Sequence, residues 1–239
     1  MEKRILKAVS LIVCVTMLVG VASSANAQRR KSRTAKRVER KVSDRTVQKT
    51  NDGISIKGNI SHSRWEGDTR TMVSFDEFPA TLQEWKTMQQ KLGGEPQGAV
   101  ALQVMAFELY RNNRTDGEAA LRLNNTSTNY NSTVERLREI MGKDVYYARP
   151  YIARTMLSGA RPENGYTVRP PYTIEMKVDP NKRYQESQLL KGTVIYLLIF
   201  SGGWDTNWRS VEVVKPAGSD FYVVSNCPAM YTQCKEAKK

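Results

Sequence analysis

The stretch Ser158–Met176, SGARPENGYTVRPPYTIEM, holds three prolines and an Asn-Gly pair, then passes into regular alternation of apolar and polar residues. That change of period decides the fold. Upstream, apolar residues recur every three or four positions, the spacing of one helix face. From Tyr172 they recur every second position, the spacing of one strand face. Pro162 stops the helical part, Asn164-Gly165 permits positive φ, and Pro170-Pro171 favours extended backbone into the strand. The segment reads as punctuation between two architectures; a binding role is the alternative, because loops between rigid parts often carry function.

Working back from it, helix starts are well marked. Thr81-Leu-Gln-Glu84 is a capping box, followed by Leu82, Trp85, Met88 and Leu92 on one face and stopped by Gly93-Gly94. Pro96 suits a first helical turn, and Val100, Leu102, Met105 and Leu109 continue from it. Capping boxes at Thr115–Glu118 and Ser132–Glu135 open two more helices, and Arg149–Gly159 predicts a fifth with Pro150 at its start.

Working forward, YTIEMKV puts Tyr172, Ile174, Met176 and Val178 on one face, and GTVIYLLIF (Gly192–Phe200) is apolar enough for a central strand buried on both faces. SVEVVK and FYVVSN flank PAGSD as a hairpin. Near the N-terminus, ISIKGNI (Ile54–Ile60) and TRTMVSF (Thr69–Phe75) predict two short strands. The expected class is α+β, with five short helices in a compact subdomain followed by a four-stranded antiparallel β-meander. The expected segments are 1–27, 28–50, 51–76, 77–160, 161–228 and 229–239: signal peptide, basic linker, N-terminal strands, helical subdomain, sheet and tail.

The leader sets an expectation of export. Lys3, Arg4 and Lys7 precede an uncharged apolar run from Ala8 to Ala22, and Ala25-Asn26-Ala27 ends it with a small-x-small cleavage pattern. The run is short of the roughly 20 apolar residues a span requires. A mature chain starting at Gln28 is expected in the periplasm, at the cell surface or outside the cell.

The net charge of +13 is concentrated just after this leader. Arg29, Arg30, Lys31, Arg33, Lys36 and Arg37 open a segment to Thr50 that contains ten basic residues against Glu39 and Asp44. Such a segment binds anionic polymers, here those of a cell envelope, with salt-sensitive affinity. The alternative is a solvated linker, since Ala35, Val38, Val42 and Val47 are too few to offset the entropy of ordering. Nucleic acid is not an expected partner of an exported chain. With Cys14 in the leader, Cys227 and Cys234 remain, and an even pair in an oxidising compartment predicts a structural disulfide.

The segments ARTMLSGARPENGYTVRPPYTIEM, TDGEAAL, ERLREIMGKDVYYARPY and LLIFSGGWDTNWRSVEV together resemble a bacterial family of unknown function found in gut Firmicutes and Bacteroidetes. Its members share Pro-Glu-Asn-x-Tyr-Thr, a following Pro-Tyr-Thr-Ile strand and a Ser-Gly-Gly-x-Asp turn, here Ser201–Asp205. The resemblance covers roughly residues 78–224 and implies no activity or catalytic residue. Trp204 and Trp208 depart from the small and proline residues that follow the turn in that family, so it implies no role for them.

The remaining chemistry is sparse. His62 is the sole histidine, and beside Ser61, Ser63 and Arg64 it reads as a surface residue. No motif for zinc, calcium or phosphate occurs, so neither a cofactor nor a metal site is expected. No carboxylate pair stands out for glycoside hydrolysis. The candidate site is GGWDTNWRS, where Trp204, Asp205, Asn207, Trp208 and Arg209 offer aromatic faces beside amide and charged groups, suited to a glycan or a protein. The alternative is that both indoles fold onto the sheet as a small core. The expected function is an exported, non-catalytic binding protein; the alternatives are a glycan or cell-wall hydrolase and a structural module of an envelope assembly.

Overall fold

The computed structural model describes residues 53–60, 70–142, 148–182, 184–232 and 234–238. The leader, the basic segment and His62 lie outside them. All described residues belong to one compact unit.

The class is α+β, but the sheet is larger than a four-stranded meander. Seven strands, β1 (Ser55–Lys57), β2 (Arg70–Phe75), β3 (Tyr172–Val178), β4 (Gln185–Ser187), β5 (Gly192–Phe200), β6 (Trp208–Val214) and β7 (Val223–Asn226), form one antiparallel sheet. The order is β1-β2-β3-β5-β6-β7, with β4 beside β5. The expected meander misses β2, which pairs with β3 through Val73–Ile174 and Phe75–Tyr172. Local pattern cannot show a pairing between strands separated by the whole helical segment.

Alternation sets which face is buried. Val73, Phe75, Ile174, Met176, Ile195, Leu197, Ile199, Val211, Val213 and Val224 point inward and are closed to solvent. In β5 the intervening Tyr196, Leu198 and Phe200 are only half-buried. The expected burial of β5 on both faces is therefore corrected: one face meets the helices and the other stays partly open.

The helices are α1 (Leu82–Leu92), α2 (Pro96–Asn112), α3 (Arg114–Asn124), α4 (Ser127–Ile140) and the short α5 (Pro228–Tyr231). Thr81 caps α1 by accepting from Glu84 N, while Glu84 reaches back to Ala80 N. Every residue of α2 from Pro96 to Tyr110 is buried, so this helix is wrapped on all sides by α1, α3 and the sheet. Each fully buried Leu, Val, Met or Phe on it stabilises the fold by about 1.5–3 kcal/mol relative to exposure.

Three helix expectations need correction. α3 begins at Arg114, capped by Asn113, whose Oδ1 accepts from Asp116 N at 3.2 Å. α4 begins at Ser127, ahead of the expected Ser132 box. The stretch 149–159 forms turns and a 3₁₀ segment, Arg154–Met156, in place of a fifth α-helix. There Thr155 Oγ1 donates to Ile152 O, and Ser158 N donates across to Thr173 O, which ties the backbone to β3.

The expected disulfide is also corrected: Cys227 and Cys234 are separate, buried, free thiols. Cys227 faces the helical layer, where Asn129 Nδ2, Gln103 Nε2 and Thr133 Oγ1 lie 3.4, 3.6 and 3.7 Å from its sulfur. Gln103 Oε1 in turn accepts from Asn124 and Asn125, both at 2.9 Å, so the thiol belongs to a buried amide network joining α2, α3 and α4. Helix α5 then carries the chain across, and Cys234 packs beside Gly203.

Candidate functional site

Three segments separated in sequence converge at one end of the sheet. The first is the turn 159–163, the second the loop 200–207 after β5, and the third the extended C-terminal strip 234–238.

The loop after β5 is held from inside. Ser201 is fully buried; its Oγ donates to Thr155 O (2.9 Å) and accepts from Gly203 N (3.2 Å). Its backbone N–H closes the loop on Asn207 O at 2.6 Å. Gly202 N donates to Thr155 O, and a Cβ on Gly202 would stand 1.9 Å from Ala160 O. Only glycine permits this approach of two backbones.

The turn 159–163 is also fixed. Asn164 Oδ1 accepts from Arg161 N at 2.9 Å, and Arg161 O accepts from Tyr166 N at 3.0 Å. Gly165 takes the positive φ expected of it (61°), and Tyr166 follows with φ 58°. A tyrosine in that region is strained, and here the ring is fully buried and stacked on Tyr151 at 4.9 Å between centroids.

The strip 234–238 lies across both. Lys235 N donates to Gly203 O and Lys238 N to Pro162 O, each at 2.8 Å. Tyr166 Oη donates to Lys235 O (2.9 Å), Ala237 N to Tyr151 Oη (3.1 Å) and Arg149 Nε to Cys234 O (3.3 Å). Ion pairs repeat the pattern: Lys235–Asp205 at 2.5 Å, Lys238–Glu163 at 2.8 Å and Arg149–Glu236 at 2.9 Å. The Lys238 ammonium beside Glu163 holds that carboxyl below its usual range.

Between these segments opens a cleft of about 780 Å³, walled by Phe200, Trp204, Asp205, Asn207, Arg161 and the strip. A second hollow of about 430 Å³ continues past Trp204 toward Arg149 and Cys234. Trp204 is half-buried, and the Arg209 guanidinium sits 4.7 Å from its ring centre. Phe200 is half-buried as well, and Trp208 meets it edge-on at 5.6 Å.

The five sequence candidates therefore separate. Trp204, Asp205 and Asn207 line the cleft. Trp208 lies on the outer sheet face beneath Lys177, whose Nζ is 4.6 Å from the ring centre. Arg209 supports Trp204 and donates to Ala229 O and Thr232 Oγ1. Arg161, Lys235, Glu236 and Lys238 were not among the candidates, although the proline-rich turn that carries Arg161 was open to a binding role. Among the described residues no group of three His, Cys, Asp or Glu could hold a metal, and no helix is long and apolar enough to cross a membrane.

Fold and cleft together define an α+β domain with a groove at one sheet end, built by its own C-terminal strip. The chain belongs to the family described as Domain of unknown function (DUF6935), whose model matches residues 77–238. That span contains every cleft-forming segment. Neither a curated protein nor a solved structure matches the chain.

Proposed function

We propose that this is an exported, non-catalytic binding protein that holds a segment of a glycan polymer in the cleft beside Trp204. The half-open indole on the wall of a 780 Å³ groove carries this reading. Arg209 covers one side of the ring and fixes its plane, which leaves the groove side for a sugar face. The exposed amide of Asn207 stands nearby to bond hydroxyls. A peptide strand is less well served, because Gly203 O and Pro162 O are already bonded to the strip.

Hydrolysis is the competing reading, favoured by Glu163, Asp205 and Glu236 on the cleft wall. A glycosidase needs one carboxyl kept protonated to donate to the leaving oxygen. Each of these three is paired with a cation, and the hydrogen bond from Lys238 holds Glu163 below its ordinary range, opposite to what such an acid requires. Binding without turnover is the better fit.

Export rests on the leader at 1–27, and the basic segment 28–50 acts as an electrostatic tether to anionic envelope polymer. Fractionation with intact mass tests the first: cleavage after Ala27 is expected, and an unprocessed methionine start contradicts it. Pull-down of envelope material with and without residues 28–50 tests the second; equal capture at low salt removes the tether. For the cleft, calorimetric titration with oligosaccharides should give binding that W204A abolishes and no release of reducing ends. Turnover lost in E163Q, D205N or E236Q would establish the hydrolase instead.

A further inference from the structure

Building on the cleft reading above, we infer that the ligand is an acidic glycan whose carboxylate or sulfate group is received by Arg161. The charges of the cleft carry this. Seven charged side chains line its two hollows: Arg149, Arg161, Lys235 and Lys238 against Glu163, Asp205 and Glu236. The three carboxylates are each taken, by Lys238, Lys235 and Arg149 respectively. Arg161 is the cation left over. It is exposed on the cleft wall, and its guanidinium has no partner among the described residues.

A guanidinium presents a planar fork of donors that matches a carboxylate or a sulfate ester through two parallel hydrogen bonds. Its backbone anchor is rigid, with Arg161 N and O both bonded within the turn and the preceding Ala160 pressed against Gly202. Trp204 and Phe200 provide apolar wall to one side of this charge, and Asn207 offers an unpartnered amide among the described residues. A ring that is apolar on its face, hydroxylated at its rim and anionic at one substituent meets all of these groups. A neutral sugar leaves the guanidinium unmet.

The inference separates from the cleft reading by experiment. The full chain and its R161Q variant are titrated with three oligosaccharides of equal length: uronate-containing, sulfated and neutral. The basic segment 28–50 is the same in both proteins, so its attraction for anions cancels in the comparison. At least one acidic oligosaccharide should bind about ten-fold or more tightly than the neutral one, and R161Q should lower that preference about ten-fold, leaving only what the basic segment supplies. The arm that binds tighter names the group, carboxylate or sulfate. If the neutral oligosaccharide binds as well as the acidic ones, or R161Q keeps the preference, the inference is overturned while the cleft reading stands. If none binds, both fall. An acidic peptide that binds as tightly, with the same dependence on Arg161, overturns the glycan class.

Discussion

The Arg209 guanidinium lies 4.7 Å from the centre of the Trp204 ring and is itself held by Ala229 O at 3.0 Å and Thr232 Oγ1 at 2.9 Å. One arginine thus links strand β6, helix α5 and the wall of the cleft. Its contact with the indole stabilises by about 0.5–2 kcal/mol, depending on desolvation. In R209A the ring loses its backing while the groove-facing contacts remain possible. Ligand affinity should fall several-fold, less than in W204A, and Trp204 emission should shift to the red. Unchanged affinity and emission in R209A would show that the arginine does not position the ring.

The two-glycine turn gives a sharper structural test. In G202A the added methyl meets Ala160 O at 1.9 Å, and neither backbone can retreat without breaking Gly202 N to Thr155 O. Destabilisation of about 2 kcal/mol or more is expected, a fall in Tm of roughly 4–8 °C. G94A is the control, because nothing lies within 4 Å of a Cβ there. Its effect should be neutral or stabilising by up to about 1 kcal/mol. Equal melting of both variants would mean that 202 and 160 do not touch.

What was legible in the sequence follows from the range over which each interaction acts. The Thr81 box, Pro96 at a helix start and the alternation of Tyr172–Val178 are local, and each appears in the structure where the pattern put it. The 149–159 stretch misled because its apolar spacing suits a helix, yet Ser158 is bonded to Thr173 of a strand. The pairing of Val73 with Ile174 is equally remote from local pattern. At the site, GGWDTNW announced itself by aromatic and glycine content. Its meeting with Arg161 and with Lys235–Lys238 depends on where the chain folds back, which composition does not encode.

The thiols provide a chemical test. Burial pushes both Cys227 and Cys234 up to about 11, from an ordinary 9.0. Their neutral form therefore favours the folded state fully below pH 9, and this contribution is lost as pH rises toward 11. A chain lacking residues 1–27 should show two thiols reacting slowly with a disulfide reagent at pH 8 and rapidly after unfolding, with no reductant added. Absence of reaction in the unfolded chain until a reductant is supplied would mean the cysteines are bridged.

The strip should loosen in acid. Glu163 is held below its ordinary 4.5 chiefly by the hydrogen bond from Lys238, so the pair stabilises the folded form above that value. The contribution disappears as pH falls through the depressed pKa. Wild type should melt slightly above E163Q at pH 7, and the gap should narrow as pH falls below the ordinary 4.5 of a glutamate. A gap that stays constant or widens as the solution is acidified contradicts the pairing.

The cleft itself is tested most directly by following indole N–H resonances during ligand titration. Trp85 is fully buried, donates its Nε1 to Leu102 O at 3.1 Å and does not line the groove, which makes it an internal reference. Addition of the oligosaccharide should move the Trp204 resonance, identified by its loss in W204F, and leave Trp85 still. Saturable binding during which Trp204 does not move would place the ligand elsewhere and contradict the assignment of this groove.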